Sequence, residues 1–295
     1  MLDYRYHALS LAAVLFALAL GVLIGVAIGD SNLVSSAKRG IVHDLDSEIS
    51  SAHRELKLQS GQLARQEAFS EGLYPLAVHE LLAGRRVGLL FLGGASEKVD
   101  TLVRNAVTEA GGEVASVVAV REPLDLAGIS HDASGTSFQS LSGAPSLIGR
   151  FGYVVGRQLV SGGPLVDREL VSRVRSNLLS AFDGQLTRLD GLVLVRAEPE
   201  GMSAADSEAS SAFDAGLVAG IAAANVTAVG AQTTREDPSQ IAWYKGKGLS
   251  SVDDLDTLAG QAALVYALTG EHGTYGSSST ADSLLPSVAT TSTTP

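Results

Sequence analysis

The chain has 295 residues, with 21 Lys and Arg against 32 Asp and Glu, a net charge of −11, 32 Gly, two Met and no Cys. Such acidity is a poor match for nucleic-acid phosphates, and the missing cysteines exclude disulfides, thiolate metal sites and a cysteine nucleophile. The length suits about two units, and a mean hydropathy of +0.21 is too apolar for a disordered chain, so it needs a local source.

That source lies at the N-terminus. After a short tail, 1–7, no Asp, Glu, Lys or Arg occurs between Arg5 and Asp30. The apolar core from Ala8 to Ile28 would span roughly 30 Å as a helix, the thickness of a bilayer core. A transmembrane anchor over 8–29 is therefore expected. Its length favours an uncleaved anchor over a cleaved signal, whose apolar region is usually shorter, although Ala27-Ile28-Gly29 would admit a cut. Ala13, Ala17, Gly21, Gly25 and Gly29 recur every four residues. Small side chains at that spacing form one face along which membrane helices approach closely. The flanking charges do not decide the orientation, because Arg5 stands on one side and Lys38 with Arg39 on the other.

From 30 to 84 the chain turns polar and helix-friendly. Val42, Leu45, Ile49, Ala52, Leu56 and Leu63 fit a 3-4 heptad seam, with Gln59 and Gln66 in the intervening positions. This pattern predicts a coiled-coil stalk, the competing reading being an amphipathic helix folded back on the next domain. Anchor and coil together predict a homodimer or hetero-oligomer. His43 and His53 are ten apart and read as solvated helix residues rather than metal ligands.

Residues 85–276 read as a Rossmann-like, three-layer α/β domain with a mostly parallel sheet. Val87 to Leu92 is a continuous apolar run closed by Gly93-Gly94, as in a buried parallel strand. Val99, Leu102, Val103, Ala106, Val107 and Ala110 make one face of a helix, and Glu113 to Val120 a second strand. The theme returns with a strand at Leu192–Val195, a helix over Ala204–Ala224, a strand over Asn225–Gly230 and a helix over Leu255–Thr269. Between the halves, helices are expected around Ser146–Val160 and Asp167–Phe182, the rest of 121–190 being loop. Residues 277–295, rich in Ser, Thr and Pro, read as a flexible tail.

The chemistry is sparse. Gly93-Gly94 lacks the G-x-G-x-x-G spacing, and neither a P-loop nor a G-x-S-x-G elbow occurs. The six His are scattered. Asp253, Asp254 and Asp256 precede the last helix, where carboxylates favour the helix dipole and can cap. His131-Asp132 and Glu271-His272 are sequence neighbours, an arrangement that rarely converges on one metal. Trp243, with Tyr244, Lys245 and Lys247, reads as part of a Gly-punctuated loop, either a recognition patch or an aromatic lid. No catalytic or cofactor-binding residue is predicted, and no metal ligand is assigned.

The opening Tyr4-Arg5-Tyr6-His7-Ala8-Leu9-Ser10-Leu11-Ala12-Ala13-Val14, continuing through Gly21 and Gly25, resembles the actinobacterial copper-transport protein B (MctB) family. Ser251-Val252-Asp253-Asp254, Ala262 to Leu268 and Gly273-Thr274-Tyr275-Gly276 are similar to that family's C-terminal end. The resemblance alone implies copper, in transport or homeostasis at the cell envelope, and a single-pass protein whose α/β domain is extracytoplasmic; no cofactor is otherwise predicted. Relatives that act with a partner in cell separation and peptidoglycan remodelling imply an alternative, a non-enzymatic scaffold with a cell-envelope protein partner. Copper(I) prefers thiolate and thioether ligands, which this chain nearly lacks, so the residues favour the scaffold while the family name favours copper. An enzyme acting at the carboxyl edge of the sheet, through the loops after Leu92, Val120, Val195 and Gly230, is the third reading.

Overall fold

The computed structural model describes residues 4–28, 31–162, 168–197 and 201–286. The chain divides into two units, Met1–Ala68 and Phe69–Pro295. The first holds α1 (Tyr4–Ile28) and most of α2 (Ser31–Val78). The apolar side chains of α1 surround its whole axis, the pattern of a helix solvated by lipid rather than docked by one face. Among the described residues it is the one helix long and apolar enough to cross a membrane, over Tyr6–Ala27.

The second unit is a mixed α/β fold. Its elements are β1 (Arg86–Leu92), α3 (Glu97–Glu109), β2 (Glu113–Val120), α4 (Leu126–Asp132), α5 (Pro145–Ser161), α6 (Arg168–Leu178) and β3 (Leu179–Gly184). They continue with β4 (Gly191–Arg196), α7 (Ala204–Ala222), β5 (Thr227–Ala231), α8 (Ile241–Gly246), β6 (Ser250–Val252), α9 (Leu258–Leu268) and β7 (Thr274–Tyr275). The seven strands form one sheet in the order β3-β2-β1-β4-β5-β6-β7. Every pairing is parallel except β2 with β3, so β3 is a reversed edge strand.

β1 shows why its run is apolar throughout: alternate residues serve two cores. Val87, Leu89 and Phe91 pack with Val103 and Val107 of α3 and Leu264 of α9. Leu90 and Leu92 join Phe151 and Val155 of α5 and Phe213 and Leu217 of α7 on the opposite face. The two helices on that second face meet backbone to backbone. A Cβ on Gly152 or Gly156 of α5 would lie 2.2 Å from Phe213 O or 2.1 Å from Leu217 O, and one on Gly216 of α7 would lie 1.9 Å from Gly149 O. Glycine is required at these three positions because nothing larger fits, and the approach buries α7 deeply.

Several expectations are corrected. The helix expected over Asp167–Phe182 ends at Leu178, and the chain turns directly into β3. Val171, Val174, Leu178 and Phe182 keep a helical spacing across the junction, which is why the pattern concealed the change. Trp243 lies in a helix, α8, and not in a loop. The segments read as loop around Leu126 and His272 contain α4 and β7. The three aspartates do not cap α9: its N-cap is Thr257, whose hydroxyl accepts from Gly260 N–H at 2.9 Å. Where the tail was expected to begin, the Asp253 carboxylate accepts from the N–H groups of Ser277 (2.9 Å) and Ser278 (3.2 Å) and from the Ser278 hydroxyl. Residues 287–295 lie outside the described residues.

Candidate functional site

The strand order runs outward in both directions from the β1–β4 pair, and ligands of such sheets usually sit between the carboxyl ends of that pair. Here the backbone ladders run one residue past the strand ends. Ala197 N–H donates to Leu92 O at 2.9 Å and Gly93 N–H to Val120 O at 3.1 Å. A Cβ on Gly93 would fall 2.4 Å from Ala197 O. Gly93-Gly94 is therefore a tight turn against β4, as its spacing suggested, and residues 198–200 lie outside the described residues.

The polar chemistry gathers one step along the same edge, around Arg196. It ends β4 on the face that carries Leu192 and Leu194, so strand alternation drives its side chain inward against α7. It is 6% exposed. Its Nη1 donates to Gln240 Oε1 at 2.6 Å, and its Nε lies 3.5 Å from Asp214 Oδ2. Its backbone N–H donates to Tyr244 Oη at 2.9 Å, and that hydroxyl donates onward to Ala231 O at 3.2 Å. The guanidinium carbon is 5.1 Å from the Trp243 ring centre, and Lys247 Nζ is 5.6 Å from the same ring.

Each partner is fixed by its element. Gln232, just past β5, accepts the Gln240 N–H at 2.7 Å and so sets the entry to α8. The Tyr244 ring lies across β5 because position 230 is glycine; a Cβ there would sit 2.3 Å from the ring. Asp214 comes from α7 and is fully buried. Burial pushes its carboxyl up to about 6, opposed by the charge and hydrogen bond of Arg196, the charge of Lys247 and a hydrogen bond with Glu122, which follows β2. Burial also raises the Tyr244 phenol, keeping it a neutral hydroxyl that can both donate and accept.

A second polar group covers the ends of β6 and β7. Burial, then the neighbouring Asp253 charge, raises the Asp254 carboxyl. Burial would raise Asp256 as well, but the N–H and hydroxyl of Thr234, both at 2.8 Å, and the charge of Lys98 lower it. These aspartates organise loops. Among the described residues no group of three or more His, Cys, Asp or Glu is arranged to hold a metal ion.

Of the residues singled out in the sequence, Trp243, Tyr244 and Lys247 belong to this cluster, and the others lie elsewhere. Ala13, Ala17, Gly21 and Gly25 are on α1, and a Cβ on either glycine meets nothing within 4 Å; Gly29 lies outside the described residues. Val42 is on α2, where Leu45, Ile49, Ala52, Leu56 and Leu63 are all exposed. His131 is exposed on α4, while Asp132 accepts from Asn177 Nδ2 at 2.6 Å. Sequence reasoning missed Arg196, Asp214, Gln240 and Glu122. One signal was present: Arg196 closes a wholly apolar strand, and Asp214 stands between Phe213 and Leu217 on an apolar helix. A separate groove of about 530 Å³ runs along α6 and β3, lined by Val171, Arg175, Phe182 and Leu186 among others, and shares no residue with the Arg196 cluster.

The family model described as "Copper transport outer membrane protein, MctB" matches residues 1–286. The proteins named "Copper transporter MctB" from Mycobacterium tuberculosis (strain H37Rv) and Mycobacterium bovis are each 30% identical over 122 residues, which is 41% of this chain. The match spans 38% of the length of those relatives. With the family model running through the apolar helix, the long helix and the α/β unit alike, the chain belongs to the MctB copper-transport family.

Proposed function

We propose that this chain is a single-pass, membrane-anchored component of copper transport at the cell envelope, with its α/β unit outside the cytoplasm and copper as cargo rather than as a resident cofactor. The observation that carries this reading is the family match from residue 1 to residue 286. Its donor set suits cargo handling better than a resident copper(I) site, because the chain offers no thiolate and two isolated methionines, Met1 and Met202. The proposed role is not enzymatic. The test is a strain lacking the chain: it should accumulate copper and lose copper tolerance, with recovery on re-expression. Unchanged tolerance, together with calorimetry of the full chain in nanodiscs showing no copper binding, would sink the proposal.

A second reading has its own observation. Leu45, Ile49, Leu56 and Leu63 are 54%, 47%, 61% and 60% exposed on a 48-residue helix. Apolar residues at 3-4 spacing gain by pairing with another helix. That favours a scaffold that assembles through α2 with itself or with an envelope partner in cell separation and peptidoglycan remodelling. Crosslinking and pull-down of the full chain from membranes should recover such a partner, and Leu56→Asp should abolish the recovery. Recovery of lipids and chaperones alone counts against it.

A further inference from the structure

β3 ends the sheet, with its ladder to β2 on one side. Gln185 N–H donates to Ala115 O at 3.1 Å, and Gly184 stands opposite Ser116. Alternation of an antiparallel ladder then turns the N–H and C=O of Phe182 and Gly184 away from β2, toward the open edge. Edge groups of this kind are a ready template for another strand. The groove of about 530 Å³ runs beside them, walled by Val171 of α6 and by Leu179, Phe182 and Leu186.

One cation stands over this groove. The Arg175 guanidinium carbon lies 3.8 Å from the Phe182 ring centre, close enough to stack. Stacking occupies the face of the guanidinium and leaves the N–H donors around its rim available to a carboxylate. Arg175 is exposed and makes no hydrogen bond or ion pair with the described residues. Among the described residues that line the groove none is acidic. α6 carries Arg168, Arg173 and Arg175 against Glu169, although the chain as a whole is acidic. Free backbone groups, apolar walls and an unpaired cation together match an extended chain with a carboxylate between apolar side chains. We propose that the α6–β3 groove takes an extended acidic segment of a partner protein, which adds to the sheet beside β3 and presents an Asp or Glu to Arg175. Side chains two positions away on that segment point the same way and enter between Val171, Leu179 and Leu186. This docking needs neither pairing through α2 nor copper, so it stands apart from both readings above.

The test is binding of a capped heptapeptide, with Thr at odd positions and Val, Asp and Val between them, to the full chain in phosphatidylcholine nanodiscs. Calorimetry should show saturable binding, and amide exchange should show protection of residues 180–185. Changing the probe's Asp to Asn, or Arg175→Gln in the chain, should each weaken binding at least ~10-fold, the scale of one charge-assisted hydrogen bond. Both changes together should weaken it no further than either alone, a result that damage to the fold would not reproduce. Ser172 is exposed on α6 three residues before Arg175. Ser172→Glu places an internal carboxylate beside the guanidinium and should abolish binding, while Ser172→Gln should keep it. N-methylation of alternate probe nitrogens should abolish binding in one phase and spare it in the other, as strand addition requires. Absence of binding, equal binding of the Asp and Asn probes, or indifference to the phase of N-methylation overturns the inference. So does protection of residues 180–185 that rises with protein concentration in the absence of probe, which would assign the edge to a second copy of this chain.

Discussion

Arg196 stands where a strand's alternation and a helix's burial force a charge into an apolar layer. A guanidinium 6% exposed is tolerable only with its donors occupied, and Asp214, Gln240 and the Trp243 ring occupy them. Removing the cation strands the buried Asp214 carboxyl, so Arg196→Met should cost about 3–5 kcal/mol, read from urea unfolding followed by Trp243 fluorescence. Arg196→Lys should recover only part of this, because one ammonium cannot present the planar fork that reaches Asp214 and Gln240 together. The pH dependence has a definite sign. Asp214 binds its proton more tightly folded, near 6, than at the ordinary 3.8, so the folded state carries the extra proton between those values. The Asp214 contribution to stability should therefore be fully present below about pH 4, be lost as pH rises through 6, and level off above. The raised Asp254 acts in the same direction, while the lowered Asp256 gives stability that is lost only in stronger acid. Asp214→Asn should flatten most of the decline in the unfolding midpoint between pH 4.5 and pH 7. Of this cluster only the Trp243, Tyr244 and Lys247 side stood out in the sequence, because a lone Arg after four apolar residues and a lone Asp within a helix have no period or spacing to mark them.

Elements were legible in proportion to how much they bury. β1, α3, β2 and β4 were readable because each commits a long apolar run or a clean helical face to a core. β3 was not, since it is an edge strand with only Leu179 fully buried, and its Phe182 falls in phase with the preceding helix. α4 and α8, with 7 and 6 residues, are too short for periodicity to declare itself. The aspartates before α9 suggested a cap by composition alone; the hydroxyl of Thr257 took that role, and the carboxylates went to loops that the sequence could not pair. Thr257→Ala should thus cost ~1 kcal/mol, with Thr257→Ser nearly neutral. Asp253→Ala should leave α9 intact but expose the segment after Tyr275 to protease. The α5–α7 contact gives a sharper contrast. Gly156→Ala places a methyl 2.1 Å from Leu217 O and should cost about 1–3 kcal/mol or more through forced separation of the two backbones. Gly149→Ala, 3.4 Å from Ala212 O, should be tolerated within about 1 kcal/mol. The difference between the two unfolding midpoints is the measurement, since both add the same methyl to the same helix.

At the scale of the whole chain, the excess hydropathy resolves into apolar runs that the α/β unit buries and an apolar helix that protein leaves uncovered. The α/β unit covers its own apolar runs. α1 covers none of its own: across Tyr6–Ala27 no residue is buried by protein, and Leu9, Phe16 and Leu23 are 75%, 72% and 74% exposed. At about 25 cal/mol per Å² of apolar surface, leaving a helix of this size in water is prohibitive, so it either enters a bilayer or is removed. These alternatives separate by mass. An uncleaved anchor predicts that the chain sediments with membranes, resists carbonate extraction and keeps its full 30.3 kDa. Loss of the segment through Gly29 would leave a lighter chain in the soluble fraction. Leu18→Arg sharpens the comparison by placing a charge near the middle of the apolar stretch, at a cost of about 2.5–3.5 kcal/mol on an insertion scale. An anchor should then lose membrane retention in proportion, while Gly21→Leu should leave retention intact and lower only crosslinking between α1 helices. Full retention of Leu18→Arg, or a wild-type chain found only in the lighter soluble form, would remove the anchor from the proposed function and leave the α/β unit to act without it.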